Sequence, residues 1–406
     1  MAQDRQDSTA PSGSAPSSAR RVVVAGSGIA GAETALTLAL GLPDCSVTLV
    51  GRSRSVRLSP DLIYVPFGIA PRRIDVPVRA LRAFGIHAVH AEVERIDVGA
   101  QRVDTSAGPI EYDVLVVAPG ARPLGPASTA LRSLDDALRL QVQMTALLDA
   151  AAAGERRTVT IHAESEDSWT APACELALLI GAWMRAHGLE RHIETLLATA
   201  DRDTFEWFGT DGNEHVSAAL ERAGVRVATG VPAGRFDQLG GDVVVDFGRM
   251  EANAIPGLPG RSPASGWYEP QRDFSVAPDV HVVGDAINLP YRAGFASAWQ
   301  ARRLLHVLGG DLRDLGATVD GIPSAAVEYQ MELVDGVLRA RMGRADSLAH
   351  PFLGHDAEVT LEPGGRPDKL AGLLLHDRVL RAHATKHDAP LAFRHALQHR
   401  ASMRNG

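Results

Sequence analysis

The run VVVAGSGIAGAETALTLAL at residues 22–40 constrains the fold of this chain more than any other feature. It predicts a buried strand, a glycine-rich turn and a helix in direct succession. Gly26 permits the tight turn, Gly28 lets backbone N–H groups approach a pyrophosphate, and Gly31 lets the helix pack closely against the strand. The diphosphate would lie at the positive end of that helix. We therefore predict a dinucleotide-binding α/β unit near the start of the chain.

The strand that follows departs from the usual pattern at its end. Residues 46–50, SVTLV, predict a second buried parallel strand. An acidic residue about 20 positions beyond the glycines normally binds a ribose hydroxyl, but this chain has Gly51 and then Arg52. The departure weakens the case for a standard NAD site in this unit. Arg52 is either a phosphate or adenine contact or a solvated surface side chain.

The chain then changes pattern and a second α/β unit follows. Residues 88–98 and 101–105 alternate in polarity, which predicts antiparallel strands. Beyond them we predict strands at 112–118, 157–163, 194–200, 225–228 and 280–284, and helices at 134–153, 172–187, 212–223 and 294–308. The renewed alternation of strand and helix from residue 157 indicates a second parallel sheet.

Three separated motifs occur in the order found in one family of flavoproteins. They are GSGIAG at 26–31, YDVLVVAPGARP at 112–123 and VHVVGDAINLPYRAGFASAWQ at 280–300. Together they resemble FAD-dependent proteins of the pyridine nucleotide-disulfide oxidoreductase type. The most similar branch contains sulfide:quinone oxidoreductases, flavocytochrome-c-type sulfide dehydrogenases and type II NADH dehydrogenases. The resemblance covers about residues 20–310.

The resemblance implies an α/β fold with two Rossmann-like three-layer (β-β-α) nucleotide-binding domains, the second inserted in the first. Residues 21–125 and 263–315 would form the FAD-binding domain, and 126–262 a degenerate NAD-type domain. A smaller C-terminal α+β segment, 316–406, would serve as an interface. Residues 1–20, rich in Ser, Pro and Ala, would be a disordered tail.

The resemblance also assigns residues to FAD. The pyrophosphate would be held by the glycine-rich turn, and the adenine by a backbone contact on the strand after the first crossover. Two further turns would lie against the flavin and its ribitol, and a helix would point its positive end at the flavin ring. In that order the residues are Gly26, Gly28, Ile29, Ala30 and Gly31; Val93; Ala118, Pro119 and Gly120; Gly284 and Asp285; and Gly294 and Phe295. Pro119 stands where a threonine is usual, so one hydroxyl contact is lost.

Four other residues are candidates for the reacting centre. Pro60, in the loop at 58–68, would pack near the isoalloxazine. Tyr291 and Arg292 would lie at the pyrimidine edge of the flavin or at the entrance of a quinone-binding site. Alternatively, they are surface loop residues. Glu175 is a candidate proton relay, and its alternative role is an acid in a first helical turn that complements the helix dipole.

The second unit lacks the glycine fingerprint. No glycine occurs between residues 164 and 177, and acids stand at 164, 166 and 167. Side chains and negative charge would oppose a diphosphate there. We therefore expect weak or absent NAD(P)H binding in this domain, with NAD(P)H kept as a candidate diffusible substrate.

The two cysteines do not form a recognisable pair. Sulfide oxidation through a persulfide needs cysteines beside the flavin. Cys45 precedes the second strand, and Cys174 lies at the start of a predicted helix. Cys174 is either a reactive thiol at a helix N-terminus or a buried packing residue. A two-cysteine sulfide route is therefore not expected.

Bulk properties limit the partners. The net charge of −8 argues against nucleic acid, and no run approaches the roughly 18 apolar residues of a membrane span. His383 and His387, like His395 and His399, have helical spacing, but no acid or cysteine cluster completes a site, so we predict no metal. The basic segment 390–404 would contact a membrane surface peripherally, or else cover a domain or a homodimer interface.

These observations favour a cytoplasmic FAD-dependent oxidoreductase. It would pass electrons from a small-molecule donor through flavin to a quinone or another acceptor. One alternative is an NAD(P)H-dependent flavin reductase or dehydrogenase. Another is a degenerate flavoprotein with a binding or sensory role, which the departures at Gly51, Pro119 and the second unit would favour.

Overall fold

The computed structural model describes residues 19–68, 71, 74–124, 129–163, 170–204, 209–232, 234–288, 294–310, 327–333, 336–342, 359–363 and 375. In chain order the strands are β1 (Arg20–Ala25), β2 (Cys45–Gly51), β3 (Ser55–Arg57), β4 (Asp75–Pro77), β5 (His87–His90), β6 (Val93–Asp97), β7 (Arg102–Thr105), β8 (Ile110–Glu111), β9 (Val114–Val117), β10 (Ala121–Leu124), β11 (Arg157–Ala163), β12 (Ile193–Thr199), β13 (Val225–Ala228), β14 (Val243–Asp246), β15 (Arg249–Ala252), β16 (Ser275–Ala277), β17 (Val280–Val282), β18 (Val327–Leu333), β19 (Gly336–Met342) and β20 (Val359–Pro363). The α-helices are α1 (Ile29–Gly41), α2 (Leu134–Ala152), α3 (Thr170–His187), α4 (Gly209–Arg222) and α5 (Gly294–Val307). The 3₁₀ segments whose residues are all described span Ser59–Phe67, Val78–Phe84, Phe236–Gln238 and Gly284–Ala286.

Two parallel sheets organise the molecule. The first has the order β16-β17-β9-β1-β2-β5, and only the edge strand β16 runs antiparallel. Val22–Ala25 and Val114–Val117 are almost wholly buried, as expected for strands covered on both faces. The second sheet has the order β13-β12-β11-β14 and is wholly parallel. Two Rossmann-like α/β sheets, the second inserted in the first, are therefore present as predicted.

The inserted sheet is entered and left through one antiparallel ribbon. Strand β10 leads out of the first sheet and β15 leads back, and the two strands pair. Helix α2 follows β10 and begins with a reciprocal cap, in which Ser133 accepts from the backbone N–H of Asp136 and the Asp136 carboxylate accepts from that of Ser133. That cap explains why the helix begins at Leu134, where the sequence predicts it.

Two parts of the sequence-based prediction need correction. Only Val93–Asp97 of the segment 88–98 pairs antiparallel with Arg102–Thr105. His87–His90 instead extends the first parallel sheet beside β2, so the continuous alternating pattern hid a break between two sheets. The expected loop at 58–68 is largely a 3₁₀ helix, because Pro60 at its start fixes a helical φ.

The C-terminal strands form a separate antiparallel sheet of order β18-β19-β20. Strand β18 contacts α3, and β20 contacts α4. The backbone N–H of Leu375 donates to the Glu33 carboxylate on α1 at 2.9 Å, and both residues are completely buried. The C-terminal part of the chain thus contacts helices of both parallel-sheet units.

Replacing Gly31 by alanine should destabilise the protein by about 3 kcal/mol, the upper range for overpacking. A Cβ at this position would lie 1.7 Å from the Gly26 carbonyl oxygen. Equilibrium denaturation of the apoprotein measures the change. Gly28→Ala is the matched control, because no atom lies within 4 Å of its Cβ position, and it should cost no more than about 1 kcal/mol. Equal losses in the two variants would contradict the packing argument.

Candidate functional site

The fold brings the three motifs of the sequence to one edge of the first sheet. A Cβ on Gly26 would lie 2.1 Å from the Ala118 carbonyl oxygen, so these two turns are in direct contact. A Cβ on Gly284 would lie 2.7 Å from that of Ala30, so the third turn contacts α1. Strand β1 lies between β2, which follows it through α1, and β9, which the chain reaches later on the opposite side. Such a switch point opens the crevice in which α/β sheets bind nucleotides.

The glycine-rich turn has the form of an anion cradle. Gly26 has φ +124°, which glycine adopts readily, and its N–H donates to the Val50 carbonyl. Gly28 is the N-cap of α1, no side chain caps the helix there, and the space around its Cβ position is open. Free N–H groups of a first helical turn bind phosphate. The residues present therefore fit the diphosphate of FAD.

The missing acid at the end of β2 has a steric explanation. A Cβ on Gly51 would lie 2.1 Å from Ser27 Oγ, so the Ser27 side chain occupies the space of any side chain at residue 51. Arg52, the next residue, is exposed. Ser27 was missed in the sequence analysis, and the signal that could have found it is the joint occurrence of a serine in the turn and a glycine at the strand end.

The Gly284–Ala286 turn is fixed from α5. The Gly284 N–H donates to the side chain of Gln300, which is buried and was also missed from the sequence. Asp285 beside it is half-buried. Gly294 and Phe295 are the first residues of α5. Tyr291 and Arg292 lie outside the described residues.

The Ala118–Gly120 turn is held by the ribbon that returns from the second sheet. Asn253 donates from its side chain to the Pro119 carbonyl at 2.8 Å and from its backbone to the Gly120 carbonyl at 3.0 Å. The backbone of this turn is thus fixed without the threonine that Pro119 replaces. Elsewhere, Pro60 is half-buried in the 3₁₀ segment Ser59–Phe67, and Val93 is half-buried at the start of β6.

Glu175 lies on α3 and is buried. The Tyr64 hydroxyl, from the segment Ser59–Phe67, donates to Glu175 Oε1 at 2.5 Å. The structure therefore places the candidate proton relay at the contact between the first α/β unit and the second. Tyr64 was quoted with its loop in the sequence but was not assigned a role.

The first residue of α3 binds a carboxylate of its own domain. Thr170, the first residue of α3, donates its hydroxyl to the Asp201 carboxylate, and both side chains are buried. Asp201 lies two residues beyond the end of β12, in the region where a dinucleotide would place its ribose. An internal carboxylate thus lies close to the helix end that would receive the diphosphate. Residues 164–169 lie outside the described residues.

Cys174 is a buried packing residue. Its side chain is wholly inaccessible and its thiol donates weakly to the Thr204 carbonyl at 3.6 Å. Burial raises the pKa of the Cys174 thiol strongly, so at neutral pH the nucleophilic thiolate is not formed. Cys45 is half-buried at the start of β2.

Metal and membrane features can be judged only for the described part of the chain. Within it, no three histidine, cysteine or acidic side chains are grouped as metal ligands. Its helices include none that is long and apolar enough to span a bilayer. The histidine pairs at 383/387 and 395/399 and the basic segment 390–404 lie outside the described residues.

Comparison with known proteins agrees with this arrangement. A family model described as pyridine nucleotide-disulphide oxidoreductase matches residues 20–255. The sulfide-quinone reductase of Aquifex aeolicus (strain VF5) is 30% identical over 192 residues, which are 45% of this chain and 44% of that protein. The match thus spans less than half the length of this curated relative.

Two solved structures superimpose on most of this chain. The sulfide:quinone oxidoreductase from Aquifex aeolicus superimposes with a TM-score of 0.71 at 18% identity, covering 91% of each chain. NDH2 from Plasmodium falciparum in complex with NADH gives a TM-score of 0.61 at 9% identity, covering 93% of this chain and 96% of that one. At these identities the likeness shows the fold alone.

Asp285→Ala should weaken FAD binding about tenfold, the effect of losing one hydrogen bond to a carboxylate. The expected reason is that Asp285 accepts from a ribitol hydroxyl. FAD released by acid from the purified protein and titration of the apoprotein measure the change. Asp113→Ala is the control, since Asp113 pairs with Arg21 at 2.9 Å at the other end of the sheet. Unchanged FAD binding in Asp285→Ala would refute the assignment.

Alkylation should distinguish the two cysteines. In the native protein at pH 8, iodoacetamide should modify Cys45 at least about tenfold faster than Cys174, because Cys174 is inaccessible and its thiol stays protonated. Peptide mass analysis of time points measures both rates, and denatured protein supplies the control in which both react. Rapid native modification of Cys174 would contradict its packing role.

Proposed function

Because the chain belongs to the pyridine nucleotide-disulphide oxidoreductase family, we propose that it passes electrons from a small-molecule donor through FAD to a quinone or another acceptor. Flavin-dependent oxidoreduction is the activity of the family. The donor and the acceptor are our proposals. The observation that supports flavin binding is the convergence of the Gly26, Ala118 and Gly284 turns at one edge of the sheet, beside the N-terminus of α1, which no side chain caps.

Within this proposal the residues have distinct tasks. The turn from Gly26 to Gly31 holds the diphosphate, Asp285 orients the ribitol, and α5 directs its positive end at the flavin ring. Arg52 and Val93 contact the adenosine half, while Pro60 packs near the isoalloxazine. FAD, when bound, supplies the two-electron chemistry. The protein supplies binding, orientation and exclusion of water.

The catalytic assignments rest on Glu175, Tyr291 and Arg292. Reduction of a quinone to a quinol consumes protons as well as electrons, and a buried carboxyl group between the two units is suited to deliver one. This supports Glu175 as the proton relay. Tyr291 and Arg292, which precede α5, remain proposals from the sequence.

NAD(P)H-driven reduction is the second candidate, favoured by the family match. FAD is the cofactor of the family and NAD(P)H a candidate diffusible substrate. Against efficient use of NAD(P)H stand the absence of glycine between residues 164 and 177 and the buried Thr170–Asp201 contact at the start of α3. The homodimer, the peripheral membrane contact, the cytoplasmic location and the domain boundaries stay predictions.

Rapid mixing should separate these functions. Anaerobic addition of NADH to the flavin-loaded protein should reduce the flavin more slowly than about 0.1 s⁻¹, below the usual range of turnover. Photochemically reduced protein should regain its oxidised spectrum when a water-soluble quinone is added. Rapid bleaching by NADH would favour the second candidate. Protein that stays colourless with added FAD would exclude both and leave a binding or sensory role.

A further inference from the structure

The hydrogen bond between Tyr64 and Glu175 joins segments that are 111 residues apart in the chain. Its length of 2.5 Å is at the short end for a hydrogen bond between two oxygen atoms. Tyr64 belongs to the 3₁₀ segment that follows β3 in the first α/β unit, and Glu175 lies on α3, between β11 and β12 of the inserted sheet. The contact is therefore a specific polar link across the boundary between the two units.

The donor is held rigidly. Leu62, Ile63, Val65 and Pro66, which flank Tyr64 in the 3₁₀ segment, are buried. Helices α2 and α3 both pack against this segment. The backbone of Tyr64 is therefore fixed on both sides, and only two side-chain torsions of Tyr64 need to be ordered. A donor held in this way can fix the orientation of the group it binds.

The acceptor depends on such a donor. Glu175 is 1% exposed, and a buried carboxylate is costly unless hydrogen bonds replace its hydration. We propose that Tyr64 is a positioning residue for Glu175, holding the carboxyl group in the orientation from which it delivers a proton to the electron acceptor. The proposal rests on the function proposed above.

Reduction of a quinone to a quinol takes up two electrons and two protons. Reduced FAD, when bound, would supply both electrons and one proton, and the Glu175 carboxyl group would supply the second proton. Glu175 is then reprotonated from solvent. Tyr64 enters no bond change, so its loss should slow a reaction that consumes a proton and spare one that transfers electrons alone.

Two acceptors test this selectivity. Protein reduced photochemically without oxygen is mixed with a water-soluble quinone or with ferricyanide, which accepts an electron and no proton. Recovery of the oxidised flavin absorbance gives both rates independently of the natural donor. Tyr64→Phe should slow the quinone reaction about tenfold, a fraction of what general acid catalysis supplies, and leave the ferricyanide rate and the FAD content unchanged.

Three further variants complete the experiment. Glu175→Gln should slow the quinone reaction at least as much, and Tyr64→Phe/Glu175→Gln should be no slower than Glu175→Gln alone. Tyr112→Phe is the matched control, since the buried Tyr112 hydroxyl has no hydrogen-bond partner among the described residues; it should change neither rate. Thermal unfolding of the same apoproteins gives a second readout, in which the effects of Tyr64→Phe and Glu175→Gln should not be additive.

The possible failures are distinguishable. If wild-type protein reacts with ferricyanide but not with quinone, the proposed acceptor is wrong and the proton-delivery role falls with it. If the wild type reduces quinone but Tyr64→Phe slows both acceptors equally, Tyr64 is merely structural. Multiplicative effects of the two substitutions on the quinone rate would likewise overturn the proposal, because the residues would then act independently.

Discussion

The contact between α1 and the carbonyl oxygen of Gly26 sets the geometry of the first α/β unit. Because no Cβ separates Gly31 from that oxygen, the helix begins directly against the end of β1. Gly26 in the same turn contacts the backbone of Ala118, and Ala30 of α1 contacts Gly284. Three turns that are far apart in the chain are thereby fixed within a few ångströms. A side chain at Gly26 would clash with the Ala118 carbonyl, and one at Gly31 with the Gly26 carbonyl, so either would push these segments apart.

The two α/β units use the same topology with opposite outcomes at the start of their first helix. At α1 the first turn has no side-chain cap and the space beside Gly28 is open. At α3 the first residue already binds the buried Asp201 carboxylate. A carboxylate of the protein and a phosphate of a ligand compete for the same kind of position near a helix N-terminus. This contrast supports our proposal that the second unit binds a dinucleotide weakly.

Sequence reasoning succeeded where local pattern determines structure. The strand-turn-helix at 22–40 and the helix from Leu134 follow from glycine placement, burial and capping, all of which lie within a few residues. It failed at His87–His90, since alternation of polarity does not reveal which sheet a strand joins. Ser27 and Gln300 were missed for a related reason. Each acts on a residue of another element, Gly51 and Gly284 respectively, and only the folded chain shows that pairing.

Two buried acids show what such long-range pairing achieves. Glu33 lies early in α1 and Glu175 early in α3, and burial would penalise either carboxylate without a donor. Glu33 is bound by the backbone of Leu375 and Glu175 by the hydroxyl of Tyr64. In each case the donor comes from a segment far away in the chain. Helices α1 and α3 are thus each bound to a segment that is remote in the chain. Moving either segment would leave a buried carboxylate without one of its donors.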